Sequence, residues 1–409
     1  MDQIARFEIS QIIQRFLPEV ESKGCLSGYQ RSILKLISQC KTATLGGHKE
    51  RCNHCHYTRI HYNSCGNRHC PSCKAVNKHK WLHDRKHDRL PVKYFHGVFT
   101  VPSELYKYFR YNKKRLYNLL FRSVRETLLA FGYDPKQGIG GKIGAICILH
   151  TWTQLMTYHP HVHCIIPAGG LTKNGHWKHA KSNGSFLFPV RALSRLFRGK
   201  LLAGIHEEFQ SGHLNMSTDM LQSYRIVKDK LYKKEWVVYA KETFRGPQQV
   251  FEYLARYTHK ICISNYRILK VDNKNVTFRY LDRKMDQSKI KTVQGSEFIK
   301  RFAEHILPKG FVRIRHIGLL SSRVKKMDLH SARKSLKATQ PPQKIKVDTR
   351  EFILMTKGKD IRRCPRCSKG EMIIIDVILP TIRGSPGSKS FRRIPKYRKI
   401  KMYTDTSAS

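Results

Sequence analysis

Apolar residues recur along this chain at two spacings. Near the N-terminus Ile12, Ile13, Phe16 and Leu17, then Ile33, Leu34 and Ile37, fall on either side of a break from Gly24 to Gly28. A three-to-four-residue repeat of that kind places them on one face of each of two helices. After Pro91 the texture changes. Tyr94 to Val101 reads as a strand, and Pro102 and Ser103 open a helix with Leu105, Phe109, Leu116, Leu119, Leu120, Val124 and Leu128 on its apolar face. Gly132 to Gly141 reads as a loop, Ile143 to Thr151 and His161 to Pro167 as strands, 190–209 as a helix and 236–243 as a strand. A helix, a strand from Ile263 to Leu269, a turn at Asp272 to Asn275 and a strand from Val276 to Leu281 follow. The order predicts an α+β fold in which helices pack against one antiparallel sheet.

Two of these elements carry unusual polar residues. His159, His161 and His163 alternate with other residues, so a strand projects the three imidazoles from one face while Val162 and Cys164 project from the other. Imidazoles held on a rigid strand lose little rotamer freedom on sharing one divalent ion. In the stretch from Gly246 to Lys260, Pro247 suits a first helical turn and Val250, Leu254 and Ile261 form an apolar stripe. Tyr253 and Tyr257, four residues apart, share another stripe with Gln249 and Lys260. Taken alone, such a pair of phenols reads as the edge of an amphipathic core.

Composition narrows the partners. The 409 residues suffice for two or three domains, and a formal charge of +49 calls for a polyanion, because phosphates relieve the self-repulsion and counterion release supplies affinity. A basic membrane-surface protein is the alternative. The sequence shows neither an apolar run of spanning length nor an amphipathic anchor, so nucleic acid is favoured. The opening residues lack a basic stretch followed by an apolar core, so the expected location is the cytoplasm, and the 12 cysteines read as metal ligands instead of disulfides. Cys52, Cys55, Cys70 and Cys73 form two CxxC knuckles separated by 14 residues, a spacing that can close tetrahedrally on one zinc ion. Cys40, His48, Cys65 and His69 are left over as candidates for a second zinc, or as buried thiols and surface imidazoles. Cys364 and Cys367 make half of a zinc ribbon with no second CxxC, so a site there needs histidine ligands from elsewhere or a second chain.

Together these residues resemble the two-tyrosine HUH transposases of bacterial rolling-circle insertion sequences, the IS91 type. The match rests on His161-Val162-His163, on the segment from Tyr253 to Tyr257, on the strand from Ile263 to Arg267 and on the cysteine-rich N-terminal module, and it spans roughly residues 10 to 325. The resemblance implies an HUH endonuclease palm, with the histidines on a central strand and the tyrosine helix beside it. It implies domains at 1–90 (helical, zinc- and DNA-binding) and 91–325 (catalytic), and composition adds 326–409 as a basic region with CxxC and a disordered tail. The implied activity nicks and rejoins single-stranded DNA through 5′-phosphotyrosine links on Tyr253 and Tyr257. Mg2+ or Mn2+ would sit on His161 and His163. His159, Gln154 and Gln249 are candidates for the third ligand, a glutamine being the family's frequent choice, and Arg256, Lys260 and Arg267 are candidates to contact DNA. The implied partners are single-stranded element ends and target DNA, with no membrane and no small-molecule substrate, and an oligomer is compatible.

Two rivals compete. A non-catalytic zinc-dependent DNA-binding protein accounts for charge and cysteines but leaves the histidine strand and tyrosine pair as accidents. A rolling-circle replication initiator or relaxase-like nickase uses the same chemistry at a replicon origin. From Phe311 to Arg350 the chain has 11 Lys or Arg against two acids, which marks a phosphate-facing or a solvated surface, and Pro341-Pro342 marks a linker.

Overall fold

The computed structural model describes residues 7–73, 87–242, 261–282, 285–340, 350–351, 353–354, 358 and 360–381. Helix α1 (Ile9–Ser22) opens on a capping box between Glu8 and Gln11, and α2 (Gly28–Ser38) on Ser27, whose side chain accepts from the Gln30 amide. Strands β1 (Gly47–Cys52), β2 (Thr58–Tyr62) and β3 (Tyr94–Thr100) follow. The helix expected from Pro102 is divided into α3 (Tyr106–Tyr111) and α4 (Lys113–Tyr133). The division falls at Asn112, whose side chain exchanges hydrogen bonds with the Asn215 backbone. Next come β4 (Gly144–Trp152), β5 (Tyr158–Pro167), the hairpin of β6 (Gly169–Leu171) and β7 (Trp177–His179), α5 (Val190–Gln210), α6 (Thr218–Lys233) and β8 (Val238–Glu242). The described chain closes with β9 (Ile268–Val271), β10 (Asn275–Asp282), β11 (Gln287–Gln294), α7 (Gly295–Glu304), β12 (Ile314–Gly318), α8 (Lys325–Ser335) and β13 (Met372–Ile378).

The result is a mixed fold of helices and antiparallel sheets. Its centre is a five-stranded sheet in the order β12-β4-β5-β3-β8, antiparallel at every pairing. Side chains alternate across it, which gives each face its own core. On one face Phe99, Cys147, Leu149, Val162, Cys164 and Ile166 pack under α4 and α5 with Leu120, Val124, Phe197 and Leu201. On the other face Tyr94, Ile146, Ile148 and Ile165 meet Leu319, Leu320 and Leu329. His96, His150, His161 and His163 share that second face. Strand β5 begins at Tyr158, ahead of the expected His161, whereas β9 begins only at Ile268 because Asn265–Arg267 form a 3-10 turn. Helix α6 and edge strand β12 were not marked by the sequence pattern.

Two associations join segments far apart in the chain. Helices α1 and α2 share a core with α7, where Phe16 and Ile13 meet Phe298, Ile299 and Phe302. Strand β13 pairs with β1, completing a three-stranded sheet in the order β13-β1-β2. Gly295 marks how closely α7 approaches α1: a Cβ there would sit 2.2 Å from the Phe16 ring. Gly295→Ala therefore forces the helices apart, and urea unfolding should show a loss of about 1–3 kcal/mol, the usual cost of overpacking. An unchanged midpoint would mean that α1 does not dock there.

Candidate metal centres

The β4–β5 register sets His150 directly opposite His161, and Ile148 opposite His163. Because His161 and His163 are two apart on one strand, all three rings emerge on the same face, and their ligand nitrogens lie within 4.8 Å of one another. The Nε2 atoms of His161 and His163 are 3.0 Å apart, about the separation of two imidazole nitrogens on one ion at metal–nitrogen bonds of about 2.1 Å. Each ring is also oriented from behind. His161 Nδ1–H donates to the His159 carbonyl at 2.7 Å, which leaves Nε2 as the lone-pair atom. His163 Nδ1 lies 2.8 Å from His96 Nε2, and His96 Nδ1 lies 3.4 Å from the Tyr239 hydroxyl. With His163 donating to His96 and His96 to Tyr239, Nε2 of His163 is left as the lone-pair atom, facing His161 Nε2. His150 stacks on Trp152 with centroids 4.8 Å apart, and the Arg313 guanidinium lies 5.2 Å from the Trp152 ring centroid.

The turn that sets this register is anchored by side chains from distant segments. Arg267 donates to the Gln154 carbonyl, Arg301 to the Leu155 carbonyl at 3.0 Å, and His305 to the Met156 carbonyl at 3.0 Å. Met156 itself has a left-handed φ of 59°. The three histidines line a cleft of about 590 Å³, together with Thr100, Gln154, His159, Tyr239, Arg267 and Asp282.

Sequence reasoning did not consider His150. It stands at the end of the predicted strand 143–151, but only the pairing of that strand with β5 aims it at His161. His159 and Gln154 do line the cleft, His159 standing outside the converging histidine set. The His159 ring meets the Tyr106 hydroxyl, and burial holds its pKa below the ordinary histidine value. Arg267 borders the cleft while holding the turn carbonyl. Gln249, Tyr253, Arg256, Tyr257 and Lys260 lie outside the described residues.

The cysteines form two groups that the sequence spacing did not anticipate. Cys52 and Cys55 do not meet Cys70 and Cys73. Instead Cys70 and Cys73 join Cys40 and Cys65, with Sγ separations of 3.5 Å for Cys40–Cys73 and Cys65–Cys73 and 3.6 Å for Cys40–Cys70. Neighbouring thiols, Cys40 first, and burial push Cys65 and Cys70 upward, while the same neighbours pull Cys73 down. Four such groups ionise together only around a cation. Cys52 and Cys55 face Cys364 and Cys367. His48 is not in either group: it lies on β1, 3.1 Å from Glu50, and His69 is buried beside Arg68.

Comparison with known proteins places this arrangement. A family model described as "Transposase zinc-binding domain" matches residues 12–101, and one described as "Putative transposase" matches residues 144–328, which hold the three histidines. The "Putative transposase y4qJ" of Sinorhizobium fredii is 39% identical over 384 residues, covering 90% of this chain and 95% of that protein. The "Transposase for insertion sequence element IS801" of Pseudomonas savastanoi pv. phaseolicola is 29% identical over 322 residues, covering 76% of this chain and 74% of its own length. No solved structure matches the chain significantly. The chain belongs to the IS91-type transposases and carries their N-terminal zinc-binding domain. Among the described residues no helix is long and apolar enough to cross a membrane.

His96→Ala removes the group behind His163 without touching the three converging nitrogens. Manganese titration of the purified protein should show about 10–100-fold weaker binding, and unchanged binding would make His96 a packing residue. A pH effect is expected at His305, whose pKa burial holds down to about 3. The unfolded chain takes up this proton near pH 6.5 and the folded chain does not. The contribution of His305 is thus complete above about pH 6.5 and lost as pH falls toward 3. His305→Phe should flatten the acid slope of unfolding free energy by up to about 1.4 kcal/mol per pH unit. Parallel slopes for variant and parent would contradict this.

Proposed function

We propose that the chain is a DNA transposase that nicks and rejoins single-stranded DNA through 5′-phosphotyrosine intermediates, moving an insertion sequence by a rolling-circle-like route. The observation that carries the reading is the convergence of His150, His161 and His163 on one face of the central antiparallel pair, at the floor of an open cleft. A palm of the HUH endonuclease type agrees with five antiparallel strands and the His161-Val162-His163 strand at their centre.

His161 and His163 would hold the Mn2+ or Mg2+ with His150 as third ligand, water and the phosphate oxygens of DNA supplying the remaining donors. A divalent ion held there supplies charge neutralisation at the non-bridging phosphate oxygens and polarises phosphorus. Tyr239 and Cys262, which line the cleft, flank the sequence that carries Tyr253 and Tyr257. A phenol near pKa 10 is a weak nucleophile, and Arg256 or Lys260 would favour its phenolate. Attack by the phenolate forms the tyrosyl–phosphorus ester and breaks the bond from phosphorus to the 3′ oxygen, which takes up from solvent a proton equivalent to the one the phenol lost and leaves as a 3′-hydroxyl. The ester keeps the bond energy, so rejoining consumes no nucleotide, and two phenols provide two successive cleavages. The +49 charge binds the element ends and the target largely without sequence preference. Arg267 at the cleft rim adds to that field. Cys40, Cys65, Cys70 and Cys73 hold a structural zinc in the N-terminal module. The reaction is cytoplasmic and needs no membrane.

The double variant Tyr253→Phe, Tyr257→Phe keeps the ring packing and removes both nucleophiles. On labelled single-stranded element ends with manganese it should form no covalent protein–DNA adduct, whereas each single variant keeps cleavage but loses most complete transposition. An adduct in the double variant would place the nucleophile elsewhere. His150→Ala should lower cleavage at least about 100-fold while DNA affinity stays within a few-fold, because the ion acts mainly on the transition state. Normal cleavage by that variant would remove His150 from the site.

A further inference from the structure

Cys364 and Cys367 lie beyond both family matches, which end at residues 101 and 328. We propose that the chain binds a second zinc ion, held by Cys52, Cys55, Cys364 and Cys367, and that this ion clasps the C-terminal strand β13 onto the zinc-binding module. The half-ribbon near the C-terminus thus finds its other half 309 residues earlier in the chain.

Four observations support the site. Sγ separations are 3.8 Å for Cys52–Cys367 and 3.6 Å for Cys55–Cys364, and all four atoms lie within 4.8 Å. A tetrahedral ion with zinc–sulfur bonds of about 2.3 Å sets its sulfurs about 3.8 Å apart, whereas a disulfide needs about 2.05 Å. The two knuckles also have the same backbone form. The amides of His54 and Cys55 donate to Cys52 Sγ at 3.4 Å, and Arg366 N and Gly370 N donate to Cys364 Sγ and Cys367 Sγ at 3.4 Å. The residue after each second cysteine is left-handed, with φ 55° at both His56 and Ser368. N–H···S bonds of this kind stabilise thiolate and orient it toward a cation.

The halves also interlock directly through Asn53 and Glu371. Asn53 N donates to the Glu371 carbonyl at 3.0 Å, and Glu371 N donates back to Asn53 Oδ1 at 2.9 Å. A Cβ on Gly370 would come within 2.6 Å of Cys52 Sγ, so the turn closes on the sulfur only as glycine. The local apolar core is too small to explain the contact: Cys52, Cys364 and Met372 are its buried members. Ile373, Ile375 and Val377 on β13 are 43–50% exposed. Zinc binding would release the thiol protons to solvent and link the strands in place of burial.

Metal analysis of the purified full-length protein tests this without reference to DNA cleavage. Two zinc ions per chain are expected, falling to one in Cys364→Ser, Cys367→Ser. A single zinc in the parent, two in the double variant, or iron in place of the second zinc would overturn the site. The variant Cys367→His guards against misfolding, since zinc accepts an imidazole in a Cys3His set. It should keep two zinc ions and show the sulfur-to-cobalt absorption of a tetrahedral centre when loaded with cobalt. One ion only, or no such band, counts against the proposal. In the serine variant the amides of Gly47–Cys52, which pair with β13, should exchange at least about ten-fold faster. Unchanged exchange would deny the ion its clasping role.

Discussion

The antiparallel register between β4 and β5 is the constraint on which the cleft depends. A slip of one residue would turn His161 and His163 into the core beneath α4 and α5 and lift Val162 and Cys164 to the cleft. The packing forbids that slip on both faces. Cys147, Leu149, Val162 and Cys164 fill the helical side, and Ile146, Ile148 and Ile165 fill part of the other. The 153–157 turn adds a second lock, because its carbonyls receive donors from Arg267, Arg301 and His305. The imidazole cluster is thus held by apolar burial below and by half-buried cations and a buried histidine at its end.

The cysteine clusters solve a different problem. The region from Gly47 to Cys73 is polar and rich in histidine and cysteine, and burial there is shallow: Arg51, Thr58, Ile60 and Tyr62 are exposed. Chain segments with so little apolar surface do not repay their ordering entropy by packing alone. Thiols gathered in two clusters would supply the missing cohesion on binding a cation. The first group draws together Cys40 from the end of α2 and three cysteines from 65–73, and its sulfurs sit in the core that α1 and α2 share with α7. The N-terminal module and the segment 261–306 therefore stabilise one another.

Several features were legible in the sequence because they depend only on near neighbours. The two-residue period placed His161 and His163 on one face, and the helical period set out α1, α2, α4 and α5. Other expectations failed where the deciding partner was distant. Two CxxC pairs 14 residues apart satisfy the ligand count of one zinc site, but spacing states which thiols can share a turn, not which turns meet. Cys52 ends a strand that pairs with β13, so its knuckle faces Cys364 and Cys367, while Cys70 and Cys73 fold back onto Cys40 and Cys65. The 3-10 turn at Asn265–Arg267, where β9 was expected to have begun, carries Arg267, whose donors reach the carbonyls of Gln154, Cys262 and Arg279.

What the sequence determined by itself was chemistry and local form: a polycation, thiol knuckles, a histidine strand, a pair of phenols four residues apart, and the α+β order of elements. Those follow from composition and from periods of two and 3.6 residues, which act over a few positions. The tertiary structure alone decided which candidate ligands stand together. It brought His150 to His161 and set His96 behind His163 through strand register, and it joined residue 55 to residue 364 through the pairing of β1 with β13. Such choices are made by long-range packing, where any of several sequence-compatible partners would satisfy the local pattern and only the shape of the whole core selects one.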